Sequence, residues 1–121
     1  MSHTEVFDRT VYDRLVAELG ADDAAEALSV FLADTAGKLA RLSADGLDRM
    51  TARREAHAIK SSSATFGFLE LSRLAREMEQ GAEQMSPERL HASVQELQRA
   101  FLPISRLAEA TRPADIREFS K

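Results

Sequence analysis

Apolar side chains recur at intervals of three and four positions along almost the whole chain, a spacing typical of helices that bury one face. The first such stretch predicts a short helix from about Asp8 to Leu19, which Gly20 ends. The second predicts a longer helix that Asp22 or Asp23 caps, followed by a turn at Asp45-Gly46. The predicted core positions of these two helices are Val11, Tyr12, Leu15, Leu19, Leu28, Phe31, Leu32, Thr35, Leu39 and Leu42.

Three further helices follow the same pattern. The third is predicted from about Leu47 to Phe66, where Gly67 ends it, and the fourth from about Leu69 to Glu83. A serine, a proline and an acid in succession are typical of a helix start, so we expect the fifth helix to begin at Ser86-Pro87-Glu88. The predicted core positions of the last two helices are Leu71, Leu74, Ala75, Met78, Leu90, Val94, Leu97 and Phe101.

Two prolines shape the end of the helical region. Pro103 removes one backbone hydrogen bond and is expected to kink the fifth helix, and Pro113 is expected to end it. Short connections between long helices favour antiparallel neighbours. We therefore predict an all-α fold, an antiparallel up-and-down four-helix bundle with a short additional N-terminal helix. We expect a single domain over residues 1–121, with a helical core of about 8–112 and a loose tail at 113–121.

The composition agrees with a helical fold and excludes several kinds of protein. Alanine and leucine supply 34 residues, whereas valine, isoleucine and threonine supply 14, and unbranched side chains favour helix over sheet. The net charge of −4 argues against binding to nucleic acid or to an anionic membrane. There is no cysteine, and no apolar stretch approaches the roughly 18 residues of a membrane span. A cytoplasmic protein is expected.

The sequence lacks the motifs of several common enzyme classes. The five glycines are isolated, so there is no glycine-rich phosphate loop, and HExxH, GxSxG and calcium-loop patterns are absent. No set of nucleophile, base and acid supports a hydrolytic enzyme. A metal site would need His3, His57 and His91 to converge from distant segments, and we expect none.

The third predicted helix carries the residues with distinctive chemistry. At about 100° per residue, one arc of this helix faces the core with Ala52, Ala56, Ile59, Ser63 and Phe66. His57 lies at the edge of that arc. If the helix extends far enough, the residues that follow His57 on its own face, at offsets of four, seven and eleven, are Ser61, Ala64 and Phe68.

Three cations surround this histidine on the predicted helix. Arg53, Arg54 and Lys60 lie three or four residues from His57 and are within reach of its ring. A neutral imidazole is a good nitrogen nucleophile, and small neighbours allow another protein to approach it closely. Cations can stabilise phosphoryl oxygens and complement an acidic partner pocket.

The stretch AHAIKSSSATFGFLELSRLAREME, from Ala56 to Glu79, resembles the signature of histidine-containing phosphotransfer (HPt) domains of two-component phosphorelays. In that family an Ala-His pair is followed by an apolar residue, a lysine and a run of small residues. A large apolar residue and a glycine then end the helix, and a leucine-rich helix follows. His57 matches the phosphorylated histidine and Lys60 the lysine. The other matching positions are Ser62, Ser63, Ala64, Phe66, Gly67, Leu71, Leu74 and Glu79.

The resemblance implies a relay step without enzymatic turnover. His57 would take a phosphoryl group from an aspartyl phosphate on one receiver domain and pass it to an aspartate on another. The implied partners are response regulator receiver domains and a hybrid histidine kinase. No cofactor is expected on this chain, because any magnesium would belong to the receiver. The chain itself would be a monomeric phosphocarrier without ATP-binding or kinase activity.

The resemblance also implies roles for individual side chains. Glu79 matches a family position where glutamine or glutamate bonds the second ring nitrogen and fixes the tautomer. From the residues alone, Glu79 could equally pair with Arg76. One position departs from the family pattern, because Ser61 stands where glycine is usual. The candidates for partner docking are Arg53, Arg54, Ser61, Ala64 and Phe68, and an exposed Tyr12 is a further one.

Two other functions stay open at this point. A helical adaptor could bind receiver or kinase domains through the same face without carrying phosphate, and Ser61 keeps that alternative in view. The phosphoacceptor helix pair of a histidine kinase also places a histidine on a bundle helix. Such domains usually carry an acid directly after the histidine and a proline soon after that. Here Ala58 follows His57, and the first proline is Pro87.

Overall fold

Five helices account for most of the chain. The computed structural model describes residues 8–110, with side chains as far as residue 106. The helices are α1 (Arg9–Leu19), α2 (Ala21–Leu42), α3 (Arg49–Phe66), α4 (Leu69–Gly81) and α5 (Pro87–Ala110). Residues 8–110 contain no strand, so the all-α prediction is confirmed. None of the five helices is long and apolar enough to cross a membrane.

The helices pack as the predicted bundle. Helix α2 contacts α3, α3 contacts α4, and α4 contacts α5. Helix α2 also contacts α5, which closes the ring of four. The short α1 lies against α2 and α3. The core residues of this bundle come from all five helices, and the largest fully buried side chains include Ile59, Phe68, Leu71, Met78, Leu97 and Ile104.

The predicted inner faces are confirmed on most helices. On α3 the five residues predicted to face the core are the five that are buried, namely Ala52, Ala56, Ile59, Ser63 and Phe66. On α1 the agreement is poorer, because Tyr12 is buried whereas Leu19 is 47% exposed. A short helix that covers one corner of a bundle has a narrower buried stripe than its apolar pattern indicates.

A side chain caps the start of α1, α3 and α5, whereas α2 and α4 begin without a side-chain cap. Asp48 accepts a hydrogen bond from the Thr51 backbone N–H at the start of α3 (2.8 Å), and Ser86 accepts one from the Arg89 backbone N–H at the start of α5 (3.0 Å). The prediction that Asp22 or Asp23 caps α2 is wrong. Gly20, at a φ of 91°, ends α1 and begins α2 at the same residue. The two aspartates therefore lie in the first turn of α2, where their charge complements the helix dipole.

Two sequence predictions concern the far end of α5. Pro103 lies inside the helix, which continues past it to Ala110. The end predicted at Pro113 and the tail predicted at 113–121 fall outside the described residues, as does His3.

The end of α3 determines the position of Phe68. Gly67 has a φ of 86°, and the Phe68 backbone N–H donates to the Ser63 carbonyl over 2.9 Å. This reversal at a left-handed glycine is a common helix ending in which the second residue past the helix packs back against it. Phe68 is 1% exposed, and its ring stacks on that of Phe31 with centroids 5.5 Å apart. Its predicted docking role is therefore wrong, and the buried Tyr12 (7% exposed) is excluded from docking on the same ground.

Gly67 also carries a contact that a side chain would disrupt. A Cβ placed there would lie 2.7 Å from the Asp8 carbonyl oxygen and 3.1 Å from the Val11 Cβ, whereas one at Gly46, also at positive φ, would meet nothing within 4 Å. We expect Gly67→Ala to lower the free energy of unfolding by about 3 kcal/mol. We expect Gly46→Ala to lower the free energy of unfolding by only about 1 kcal/mol, the cost of a left-handed backbone at a residue with a side chain.

Urea unfolding monitored by circular dichroism measures the free energy of unfolding of both variants. The slope of that free energy against urea concentration should not change. Equal losses in the two variants would show that the close packing of α1 on the α3 end contributes nothing.

Candidate functional site

The site lies on α3 and α4, which pack closely because their facing side chains are small. Ala52 and Ala56 on α3 and Ala75 on α4 are fully buried. Side chains at successive turns of α3 bond to α4 and to the segment that directly follows it. The first link runs from the Arg49 guanidinium to the Met85 carbonyl, the next from Arg53 to Glu83 and the third from His57 to Glu79. From the first link to the third, the residue number rises on α3 and falls on the partner segment. The two helices are therefore antiparallel.

His57 stands at the exposed edge of this contact. Its side chain is 60% exposed, and its Nδ1 lies 2.6 Å from Glu79 Oε2. An ionised carboxylate only accepts hydrogen bonds, so the Nδ1–H donates to Glu79. In the neutral ring the other nitrogen, Nε2, then keeps its lone pair. The geometry thus presents one nucleophilic nitrogen of known identity.

Glu79 is held on both of its carboxylate oxygens. Lys60 Nζ lies 2.8 Å from Oε1, while His57 occupies Oε2, and the glutamate side chain is only 22% exposed. The hydrogen bond from Lys60, and after it the one from His57, lowers the pKa of Glu79 below its usual value. Glu79 therefore stays ionised at neutral pH and holds the ring in place. Its partners are His57 and Lys60, which decides against the alternative pairing with Arg76.

A shallow groove beside His57 is lined by basic and apolar groups. Its lining residues are Met50, Arg53, Arg54, His57 and Glu79. Met50 is 74% exposed and adds apolar surface to this groove. Charged and apolar surface next to a nucleophile suits a protein partner better than a small substrate.

Four of the five predicted docking residues are exposed on α3: Arg53, Arg54, Ser61 and Ala64. Ser61 and Ala64 lie one and two turns after His57 on the same side of the helix. The Ser61 carbonyl accepts a hydrogen bond from Thr65 Oγ1 at 3.1 Å, within the helix itself. The role of these four residues in docking stays a prediction.

Two residues of the site were missed from the sequence, Met50 and Glu83. Arg53 Nη1 donates to Glu83 Oε2 over 2.9 Å. The signal for this pair is the antiparallel register: once His57 faces Glu79, the residue four positions earlier on α3 faces the residue four positions after Glu79, just past the end of α4. Met50 could have been found by continuing the spacing of Arg53, Arg54 and His57 one turn towards the helix start.

Residues 8–106 contain no group of three or more His, Cys, Asp or Glu side chains placed to hold a metal ion. His91, on α5, is exposed.

The sequence agrees with a known family over most of its length. The family model described as "Hpt domain" matches residues 26–102. The chain belongs to the Hpt domain family. The matched segment extends from within α2 to within α5 and includes both helices of the site. No curated protein sequence matches the chain.

The fold of this Hpt domain is also that of a solved structure. The crystal structure of histidine-containing phosphotransfer protein B (HptB) from Pseudomonas aeruginosa PAO1 aligns with a TM-score of 0.81. The alignment covers 88% of this chain and 94% of that one, at 23% sequence identity. At that identity the likeness establishes the shared helical bundle.

Family membership establishes the general function. An Hpt domain acts in histidine phosphotransfer within phosphorelays, and Hpt proteins are phosphocarriers rather than kinases. Hpt domains interact with receiver domains and kinases of two-component systems. The predicted family, fold class and general function are therefore confirmed.

The lowered pKa of Glu79 makes the stability of this Hpt domain depend on pH. A carboxylate whose folded-state pKa lies below its unfolded value, near 4.3, stabilises the fold above that value and ceases to do so as the pH falls through the folded pKa. We expect Glu79→Gln to lower the free energy of unfolding by about 0.5–1 kcal/mol at pH 7. The deficit should shrink as the pH falls from about 5 to 3.

Urea unfolding at several pH values tests this dependence. Glu18→Gln, at an exposed carboxylate on α1 outside the site, is the control and should show no comparable deficit. A deficit for Glu79→Gln that stayed constant down to pH 3 would mean that the charge of Glu79 does not stabilise the fold.

Proposed function

We propose that His57 is the phosphoacceptor of this Hpt domain and that Nε2 is the atom that carries the phosphoryl group. The observation that carries this proposal is the hydrogen bond between Nδ1 and Glu79, because it occupies one ring nitrogen and leaves the other with a lone pair. The exposure of the His57 side chain supports it, since a partner's phosphoryl group must reach the ring.

The proposed step balances without a base from this chain. The Nε2 lone pair attacks the phosphorus of an aspartyl phosphate, and the N–P bond forms as the P–O bond to the aspartate breaks. The aspartate leaves as a carboxylate with the electron pair of that bond. The proton on Nδ1 stays in place, the ring becomes positively charged, and the anionic Glu79 balances that charge. Transfer to the next receiver is the reverse of this step with a new aspartate.

Lys60 acts in this proposal as a positioning residue. Its ammonium binds the Glu79 oxygen that His57 does not use, so it keeps the carboxylate ionised and correctly oriented. The family lysine would then contribute through the tautomer of His57 as well as through its charge near the phosphoryl group.

The partners we propose are aspartate-bearing receiver domains of response regulators and of a hybrid histidine kinase. The Arg53 and Arg54 side chains would complement the acidic pocket of a receiver, while Ser61 and Ala64 leave room for it beside the ring. The magnesium ion would be bound by the receiver. The chain would act as a cytoplasmic monomer, with no cofactor of its own and no kinase activity.

The first experiment incubates the protein with a radiolabelled, aspartyl-phosphorylated receiver domain. Label should move to the wild type but not to His57→Gln, because the amide nitrogen of glutamine is not nucleophilic enough to attack phosphorus. His91→Gln, at an exposed histidine on α5, is the matched control and should accept label as the wild type does. The bound label should be stable in alkali and lost in acid.

Two outcomes would contradict this proposal. Label on His57→Gln would move the acceptor elsewhere, and binding to receivers without label on any variant would favour the adaptor. Phosphorus NMR of the labelled wild type distinguishes attachment at Nε2 from attachment at Nδ1, and a Nδ1 adduct would overturn the role given to Glu79.

The hydrogen bond from His57 to Glu79 gives a graded prediction. Hydrogen bonds to charged groups contribute about 1.5–3 kcal/mol, so Glu79→Ala should slow phosphoryl transfer roughly 10- to 100-fold. Glu79→Gln keeps an oxygen acceptor for Nδ1–H without the charge, so its transfer rate should lie between those of the wild type and Glu79→Ala. Rapid-quench measurement of label transfer gives the three rates. Equal rates would show that Glu79 neither fixes the tautomer nor balances the charge of the ring.

A further inference from the structure

We infer that Arg53 is a phosphate-responsive arm that Glu83 holds away from the nucleophile until His57 is phosphorylated. This inference rests on the proposed function and adds a residue, Glu83, that tunes how strongly the domain retains a phosphoryl group. Arg53 would exchange the Glu83 carboxylate for the phosphoryl oxygens when the phosphohistidine forms. No covalent bond changes in this exchange.

The charges around His57 motivate this assignment. The neighbouring cations on α3 are Arg53, Arg54 and Lys60. The facing anions are Glu79 on α4 and Glu83 in the turn that follows α4. Lys60 is bound to Glu79 and Arg53 to Glu83, so each of these two anions holds a cation of α3. A phosphoryl group adds a charge of about −1.5 to −2 at pH 7. Glu83 would then compete with that group for the same guanidinium.

The geometry places Arg53 within reach of both competitors. It lines the groove that contains His57 and Glu79, and it also lines the polar depression formed with Lys60, Gln80, Glu83 and Gln84. Side chains on a helix lean towards its N-terminus, so the His57 ring lies over the turn that carries Arg53 and Arg54. A phosphoryl group on the ring would therefore be added next to the groove that His57 and Arg53 line together.

The Arg53–Glu83 pair is weak enough to exchange. Arg53 is 52% exposed and Glu83 is 60% exposed, and ion pairs between exposed side chains contribute little to stability. A guanidinium binds two phosphoryl oxygens at once through its planar fork, and bonds of this kind are among the stronger charge-assisted ones. The phosphoryl group should therefore outcompete the single contact to Glu83. By contrast, Glu79 has two donors and a partly buried position, and it should keep both.

The test measures how the wild type and one variant share phosphoryl groups at equilibrium. A catalytic amount of a receiver domain that exchanges phosphoryl groups with the wild type is mixed with phosphorylated wild type and an equal amount of one variant. The variant is uniformly labelled with nitrogen-15, so that its mass differs clearly from that of the wild type. The final ratio of phosphorylated forms, read by intact mass at neutral pH, depends only on the free energies of the free proteins. Weakened docking changes the time needed and leaves the ratio unchanged.

We expect Arg53→Gln to hold roughly 5- to 10-fold less phosphoryl group than the wild type, and Glu83→Gln roughly 2- to 3-fold more. In the double variant the gain from Glu83→Gln should disappear, because Glu83 acts through Arg53. Arg53→Lys should recover part of the loss, since it restores the charge without the fork. Arg73→Gln and Glu77→Gln remove a comparable exposed ion pair elsewhere on α4 and should share equally with the wild type.

Two results would overturn the inference while leaving the proposed function intact. Arg53→Gln could share phosphoryl groups equally with the wild type and merely reach equilibrium more slowly, which would make Arg53 a docking residue. Alternatively, the gain from Glu83→Gln could persist without Arg53, which would indicate simple repulsion of the phosphoryl group. If His57 of the wild type accepted no phosphoryl group from any donor, the proposed function would fail and this inference with it.

Discussion

The close antiparallel contact between α3 and α4 is the constraint on which the site depends. Small side chains, among them Ala56 and Ala75, let the two helices approach along their length. Across this contact the Nδ1 of the exposed His57 lies 2.6 Å from the Glu79 carboxylate on the neighbouring helix. A larger residue at either fully buried alanine would force backbone shifts at this contact, on which the position of Glu79 relative to the ring depends.

The chemistry proposed for His57 relies on orientation and charge, with little contribution from burial. The ion pairs of the site lie at the surface, where each adds little stability, yet together they fix the direction in which one ring nitrogen points. A nucleophile that must meet a macromolecular partner has to be exposed, so hydrogen bonds must supply the order that a buried site would obtain from packing. Lys60 and Glu79 supply that order.

The sequence predicted the site better at its centre than at its edges. His57, Lys60 and Glu79 carry local signals, either in their spacing on one helix or in a resemblance confined to neighbouring segments. Phe68 was wrongly placed on the surface because the same periodicity was continued past Gly67, where the backbone turns left-handed and sends the side chain into the core. The prediction of an aspartate cap on α2 was wrong for a related reason. Gly20 ends α1 and begins α2, so no residue remains between the two helices for an aspartate cap.

The sequence by itself determined the helical class, the approximate helix bounds, the inner face of α3 and the identity of the candidate nucleophile. These properties follow from periodicity and from residue types that act within one helix. Only the tertiary structure decided which groups meet across helices: that Glu79 binds His57 and Lys60 together, that Arg53 reaches Glu83, and that Phe68 is buried. Such contacts depend on the register between α3 and α4, which packing sets over many residues and which no single segment of the sequence contains.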